Sequence, residues 1–126
     1  VVFVCTHNSA LSQFAEALWR GASAIPAVSG GTEPAARVHP LARRVAGRHG
    51  VDMRGATPKR VATADLRDAL VVTVCDHADG LTAAPHRHWS VPDPVADGHE
   101  AAFEAAWDDI AERVGALAST VHEEEA

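Results

Sequence analysis

The sequence predicts an α/β fold: a three-layer α/β/α sandwich around a central four-stranded parallel sheet, Rossmann-like in its alternation. Three observations carry this. Short apolar runs alternate with segments of helical periodicity, the pattern of strands covered on both faces by helices. The strongest runs, "VVFV" at Val1–Val4 and "LVVTVC" from Leu70, contain no charged residue. Cys5, Cys75 and the "PDP" around Asp93 each follow a predicted strand closely, and ligands of open parallel sheets bind at those carboxyl ends.

The first strand is expected over Val1–Val4. A helix follows from about Ser9 to Ala22, because Ala10, Phe14, Ala17, Leu18 and Gly21 recur at helical spacing. Pro26, Val28 and "SGGT" predict a second short strand ending in a glycine turn. "HPLARRVAGRHG" reads as a helix with Pro40 in its first turn and Gly50 as its stop. Residues 51–62 read as a loop with Gly55 and Pro58. "TADLRDA" predicts one or two helical turns capped by Thr63 or Asp65. "LVVTVC" is the third strand and "RHWSV" the fourth, closed by "PDP". From Gly98 to about Val121, Ala102, Phe103, Ala106, Trp107, Ile110, Val114 and Leu117 outline a long amphipathic helix, and "HEEEA" is expected to fray.

At 126 residues and 47% hydrophobic content, the chain suits one domain with a single core. A net charge of -6 argues against nucleic-acid binding, which needs clustered Lys and Arg. No apolar run approaches the roughly 20 residues of a membrane span. The apolar start has neither a basic flank nor a cleavage-type ending, so no signal peptide is expected. Two cysteines in an apolar chain suggest packing or thiol chemistry in a reducing compartment, and a cytoplasmic location is expected.

The stretch "VVFVCTHNSALSQFAEALW" carries the chemistry. A loop between a strand and a helix N-terminus turns several backbone N–H groups toward one point and binds anions. A cysteine at its start should have a depressed pKa, and the thiolate is the nucleophile. Asn8 is expected to brace the loop by bonding its own backbone, and Ser12 to donate to the Cys5 sulfur. The same residues also suit a buried strand-end cysteine with no chemistry.

The stretch resembles the phosphate-binding loop of low-molecular-weight protein tyrosine phosphatases and the related thioredoxin-type arsenate reductases, closest in wording to actinobacterial members. That motif is a cysteine, five residues, then Arg-Ser. Cys5, Thr6, His7, Asn8, Ser9, Ala10 and Ser12 align without a gap. "AVSGGT", "VVTVCDHAD" and "HWSVPDP" extend the likeness over the whole chain. The resemblance implies a Cys5 nucleophile, Ser12 as its activating neighbour, an anion-binding loop of residues 6–11, and Asp93 as general acid. "PDP" alone also reads as an ordinary turn.

The departure is Leu11, where the family motif has arginine. That arginine would grip two oxygens of the oxyanion through a charge-assisted fork. Loss of one oxyanion donor costs roughly 10²–10³ in rate, and of an arginine at a phosphoryl centre roughly 10³–10⁵. Leucine offers no donor and adds a desolvation cost. His7, Arg54, Lys59 and Arg60 are the substitute cations considered, with solvated surface roles the default for each.

Cys75 stands where arsenate reductases of this fold carry a second redox cysteine. Residues 76–126 hold no third, so the resemblance implies reliance on an external small thiol if reduction occurs. The plain alternative is a reduced strand-end cysteine. No metal is expected, because the eight histidines lack a zinc spacing with paired Cys; His86 and His88 read as surface strand residues. Trp19, Trp89 and Trp107 read as core. With no tyrosine in the chain, the aromatic rim that grips phosphotyrosine is not evident. A small oxyanion or phosphorylated ligand is therefore the expected substrate, without nucleic acid or membrane as partner. Two functions stand: a phosphatase or arsenate reductase slowed by Leu11, or a pseudo-phosphatase that binds an oxyanion or a partner without turnover.

Overall fold

The computed structural model describes residues 1–62, 66, 69–74 and 86–125. Its elements are β1 (Val2–Cys5), α1 (Leu11–Ala22), β2 (Val28–Gly31), α2 (Pro40–Arg48), β3 (Val71–Thr73), β4 (His86–His88), α3 (Pro94–Asp97) and α4 (Glu100–Glu125). The strands form one four-stranded sheet in the order β2-β1-β3-β4, every pair parallel. This is the α/β, Rossmann-like architecture that the alternation predicts.

β1 lies between β2 and β3, and all of its residues are buried, so both faces of the central strand are covered. That is why "VFVC" shows no polar alternation. Phe3 packs between Trp19 of α1 and Trp89, with ring centroids 6.1 and 5.9 Å away. Phe14 of α1 meets Trp107 of α4 edge-on at 5.0 Å. The three tryptophans are core residues, as their apolar positions predict. Trp19 keeps its indole N–H satisfied on the Ile25 carbonyl at 2.9 Å.

α2 follows the expected grammar. Pro40 occupies its first turn, and His39 Nδ1 accepts from the Leu41 N–H at 3.1 Å. At the other end Gly50 adopts φ +80, while Val51 N–H returns to the Ala46 carbonyl and Gly50 N–H to Gly47. These two bonds form a Schellman stop, for which glycine is the ordinary residue.

Three expectations shift. The glycines of "SGGT" lie within β2 rather than in a turn. A Cβ on Gly31 would stand 2.5 Å from the Thr6 carbonyl oxygen, so this position is small because the loop after β1 presses against it. The fourth strand covers His86–His88 and releases Trp89–Val91, because only the earlier residues pair in register with β3. The C-terminal helix continues through "HEEE" to Glu125, where fraying was expected. His122 Nε2 lies 2.9 Å from Ser23 Oγ, which anchors that last stretch to the end of α1. Thr63 and Asp65, the expected caps of "TADLRDA", lie outside the described residues, as does Cys75.

Candidate active site

β1 ends at Cys5 and α1 begins at Leu11, so residues 6–10 form the entire connection at the carboxyl edge of the sheet. Segment 32–39 holds this loop from outside. Thr32, Glu33, Ala35 and His39 donate their N–H groups to the carbonyls of Cys5, Thr6, His7 and Ser9 at 2.8–3.1 Å. In a trans peptide the C=O of one residue and the N–H of the next point in opposite directions, and no peptide bond here is cis. Carbonyls turned outward therefore turn the N–H groups of Thr6, His7, Asn8 and Ala10 toward the loop's interior. The Asn8 N–H does reach inward, 3.2 Å from Cys5 Sγ. α1 begins with no side-chain cap on its first turn, which leaves further N–H donors beside the loop. Together they make a concave set of donors suited to an anion.

Asn8 is the keystone, in a way its local sequence does not announce. It is fully buried and adopts φ 51, a left-handed conformation that asparagine tolerates. The Lys59 backbone N–H donates to Asn8 Oδ1 at 3.1 Å, and a backbone N–H can only donate, so the amide orientation is fixed. Gln13 Nε2 adds a second bond to the same oxygen at 3.1 Å. Asn8 Nδ2 then donates to Ser12 Oγ at 2.7 Å and Ser29 Oγ at 3.0 Å. The brace thus ties the Asn8 side chain to Ser12, Gln13, Ser29 and the Lys59 backbone across the fold, and is not the expected bond to the residue's own backbone.

Ser12 Oγ lies 2.8 Å from Cys5 Sγ. Its single hydrogen cannot go back to the Asn8 amide, which is itself a donor, so the hydroxyl is left to donate to sulfur. Ser12 and the Asn8 amide both donate hydrogen bonds to the sulfur, and both bonds favour a thiolate over a thiol.

Cys5, His7, Ser9, Leu11, Asp93 and Val95 line a cavity of about 90 Å³. Asp93 caps the short helix α3, its Oδ1 accepting from the Val95 N–H at 2.9 Å. Its other carboxylate oxygen has no protein partner among the described residues. The structure therefore brings the carboxylate between the prolines to the mouth of the cysteine loop. Leu11 is 4% exposed and forms part of this wall; among the described residues no lysine or arginine lines the cavity.

Three of the four cations considered as substitutes lie elsewhere. Arg54 is paired with Asp52 at 2.9 Å, which holds that exposed carboxyl down to about 2. Lys59 Nζ stands 3.7 Å from the buried Glu16 carboxylate. Arg60 donates to the Thr32 carbonyl at 2.8 Å. His7 alone of the four belongs to the cavity, where it is solvent-exposed.

Sequence reasoning missed Ser29, Gln13 and the Lys59 amide, the partners that hold Asn8. The one available signal was Ser29, a polar residue in a short buried strand. It also missed that His88 is no plain surface histidine, because its Nδ1 lies 2.6 Å from Thr73 Oγ1. Among the described residues, His49, Glu104 and Asp108 present ligand-type atoms within 4.8 Å of one another. That group lies across α2 and α4, away from Cys5, and the Glu104 carboxylate is already held by His49 and Arg48.

The low molecular weight phosphotyrosine protein phosphatase family matches the chain over residues 1–126. The chain belongs to this phosphatase family. An arsenate reductase from Brevibacillus brevis is 34% identical over 129 residues, covering 95% of this chain and 94% of its own. The crystal structure of an arsenate reductase from Archaeoglobus fulgidus superposes with a TM-score of 0.79 at 30% identity, covering 94% of this chain and 98% of that one. An arsenate reductase in its phosphate-binding state gives the same TM-score and identity, covering 94% and 95%. No helix among the described residues is long and apolar enough to cross a membrane.

Proposed function

We propose that this low-molecular-weight phosphatase-family protein acts on a small tetrahedral oxyanion, arsenate or a phosphate monoester, through a Cys5 thiolate, and turns over slowly because Leu11 supplies no clamp. The supporting observation is the Cys5 sulfur, held by Ser12 Oγ and the Asn8 amide in a cavity shared with Asp93. Relatives named as arsenate reductases, covered over nearly their whole length, favour arsenate among the oxyanions.

With a phosphate ester, the Cys5–phosphorus bond forms as the ester P–O bond breaks, and Asp93 protonates the departing oxygen. Water then attacks phosphorus, Asp93 takes its proton, and the thiolate leaves. With arsenate, the thiolate displaces an arsenate oxygen that leaves protonated. A second thiolate then attacks the Cys5 sulfur, forming a disulfide as arsenic departs as arsenite, reduced by two electrons. Cys75 or an external small thiol supplies that second sulfur. In both cases the loop amides hold the equatorial oxygens, and charge that arginine would neutralise stays partly uncompensated.

A second reading has its own observation. Leu11 is buried in the cavity wall and well packed, so the site is suited to bind an anion weakly without turnover, as a pseudo-phosphatase. Assays with arsenate plus a thiol donor, and with p-nitrophenyl phosphate, separate the two. Slow turnover that disappears in Cys5→Ser supports the enzyme. Oxyanion binding with no Cys5-dependent turnover of either substrate leaves the binding module.

A further inference from the structure

A second cavity of about 290 Å³ adjoins the first and shares His7, Ser9 and Val95 with it; Arg37 is among its lining residues. The backbone on which Arg37 sits is fixed. Two residues before it, the Ala35 N–H bonds the His7 carbonyl at 3.0 Å, and two residues after it, the His39 N–H bonds the Ser9 carbonyl at 2.9 Å. Arg37 therefore stands opposite the middle of the cysteine loop, on its outer rim. Its exposed guanidinium has no hydrogen bond or ion pair among the described residues. Arg54, Lys59 and Arg60, by contrast, are each engaged.

The wall between the cavities also gives a direction. Val95 belongs to both, and its N–H is the group that holds Asp93. An acid protonates the group that leaves, so the departing part of a substrate lies on the Asp93 side, next to Val95, and the cavity on the other side of Val95 is the one that Arg37 lines. The reacting oxyanion finds no arginine at Leu11, so contacts to the non-reacting part of the substrate gain in importance for holding it.

We propose that Arg37, with His7 beside it, is an anion subsite for the leaving group, and that among phosphate monoesters the site prefers small ones whose alcohol carries a second negative charge, such as a carboxylate. This inference rests on the reading of Cys5 as nucleophile and Asp93 as acid. A guanidinium matches a carboxylate bidentately, and an exposed site of this kind supports a modest gain. The bonds made and broken are those of the ester reaction above; the second anion leaves with the alcohol.

The test compares 2-phosphoglycolate with ethyl phosphate, which present the same phosphoryl group with and without a carboxylate. Affinities are measured by titration calorimetry on the full chain carrying Cys5→Ser, with inorganic arsenate titrated alongside. The expected result is a preference for phosphoglycolate of about five- to tenfold. That ratio falls toward one in Arg37→Gln, survives in part in Arg37→Lys, and is kept in Arg54→Gln, with unchanged thermal melts confirming that each variant folds. Equal affinity for the two esters, or a preference that persists in Arg37→Gln, overturns the inference while arsenate binding leaves the oxyanion reading standing. Binding of neither ester nor arsenate overturns both.

Discussion

The Ser12 hydroxyl oxygen lies 2.8 Å from the Cys5 sulfur, and Asn8 decides which of the two donates. Asn8 Nδ2 already gives a hydrogen to Ser12 Oγ, so the hydroxyl proton is directed to sulfur. The nucleophile is thus set up by a chain of fixed donors that begins at the Lys59 backbone amide, passes through the Asn8 side chain and ends at Cys5.

This chain predicts that Ser12→Ala slows alkylation of Cys5 by iodoacetamide about tenfold at neutral pH and moves the reactivity profile to higher pH, because a charge-assisted hydrogen bond to the thiolate is lost. Asn8→Asp keeps the acceptor for Lys59 but draws the Ser12 hydroxyl to a carboxylate, so reactivity falls as well. Asn8→Ala leaves the part-buried Lys59 backbone amide and the buried Gln13 side chain without their shared acceptor and is expected to cost about 1–3 kcal/mol in chemical denaturation. Unaltered alkylation in Ser12→Ala would mean the hydroxyl points away from sulfur.

Asp93 combines two roles that substitution separates. Asparagine caps a helix as well as aspartate does, so Asp93→Asn should melt within about 0.5 kcal/mol of wild type. As it cannot donate a proton in the same way, its turnover of an ester with a poor alcohol leaving group should drop about 10²-fold or more. p-Nitrophenyl phosphate, whose leaving group needs little protonation, should be affected far less. Equal losses on the two esters would remove Asp93 from the acid role.

The pairing of α2 with α4 predicts a pH dependence of stability. The hydrogen bond from His49, reinforced by the Arg48 charge and outweighing partial desolvation, holds the Glu104 carboxyl below its ordinary 4.5. A lowered carboxylate stabilises the fold in full above its unfolded value, and the contribution is lost as pH falls through the folded value. The melting-temperature difference between wild type and Glu104→Gln should therefore be present at neutral pH and vanish on acidification below that range. A difference that stays constant with pH would assign Glu104 a packing role instead.

How much of this was legible depends on the range of the interactions involved. β1, α1, α2 and the "PDP" arm were readable because their signals are local: an unbroken apolar run, a helical repeat, proline and glycine at the ends of one helix, a short fixed motif. Cys5, Ser12 and Asp93 share a site because parallel strands bring their carboxyl ends to one edge, and topology alone predicts that. The brace around Asn8 was not readable. Ser29 and Lys59 lie far from it in sequence, and nothing near either residue encodes the contact. The glycines of β2 misled for the same reason: they are required by the Thr6 carbonyl pressing on Gly31, a tertiary approach that resembles a turn in sequence. Arg37 went unnoticed because an unpartnered surface arginine has no signature until its neighbours are located.

The most direct test of the account restores the absent clamp. Leu11→Arg should raise kcat/KM for p-nitrophenyl phosphate, and for arsenate with a thiol donor, by at least about 10²-fold over wild type. Adding Cys5→Ser should abolish the gain. An arginine at this position that produces no increase, or an increase that persists without the Cys5 sulfur, would contradict the claim that the loop after β1 is a working oxyanion cradle lacking only its cation.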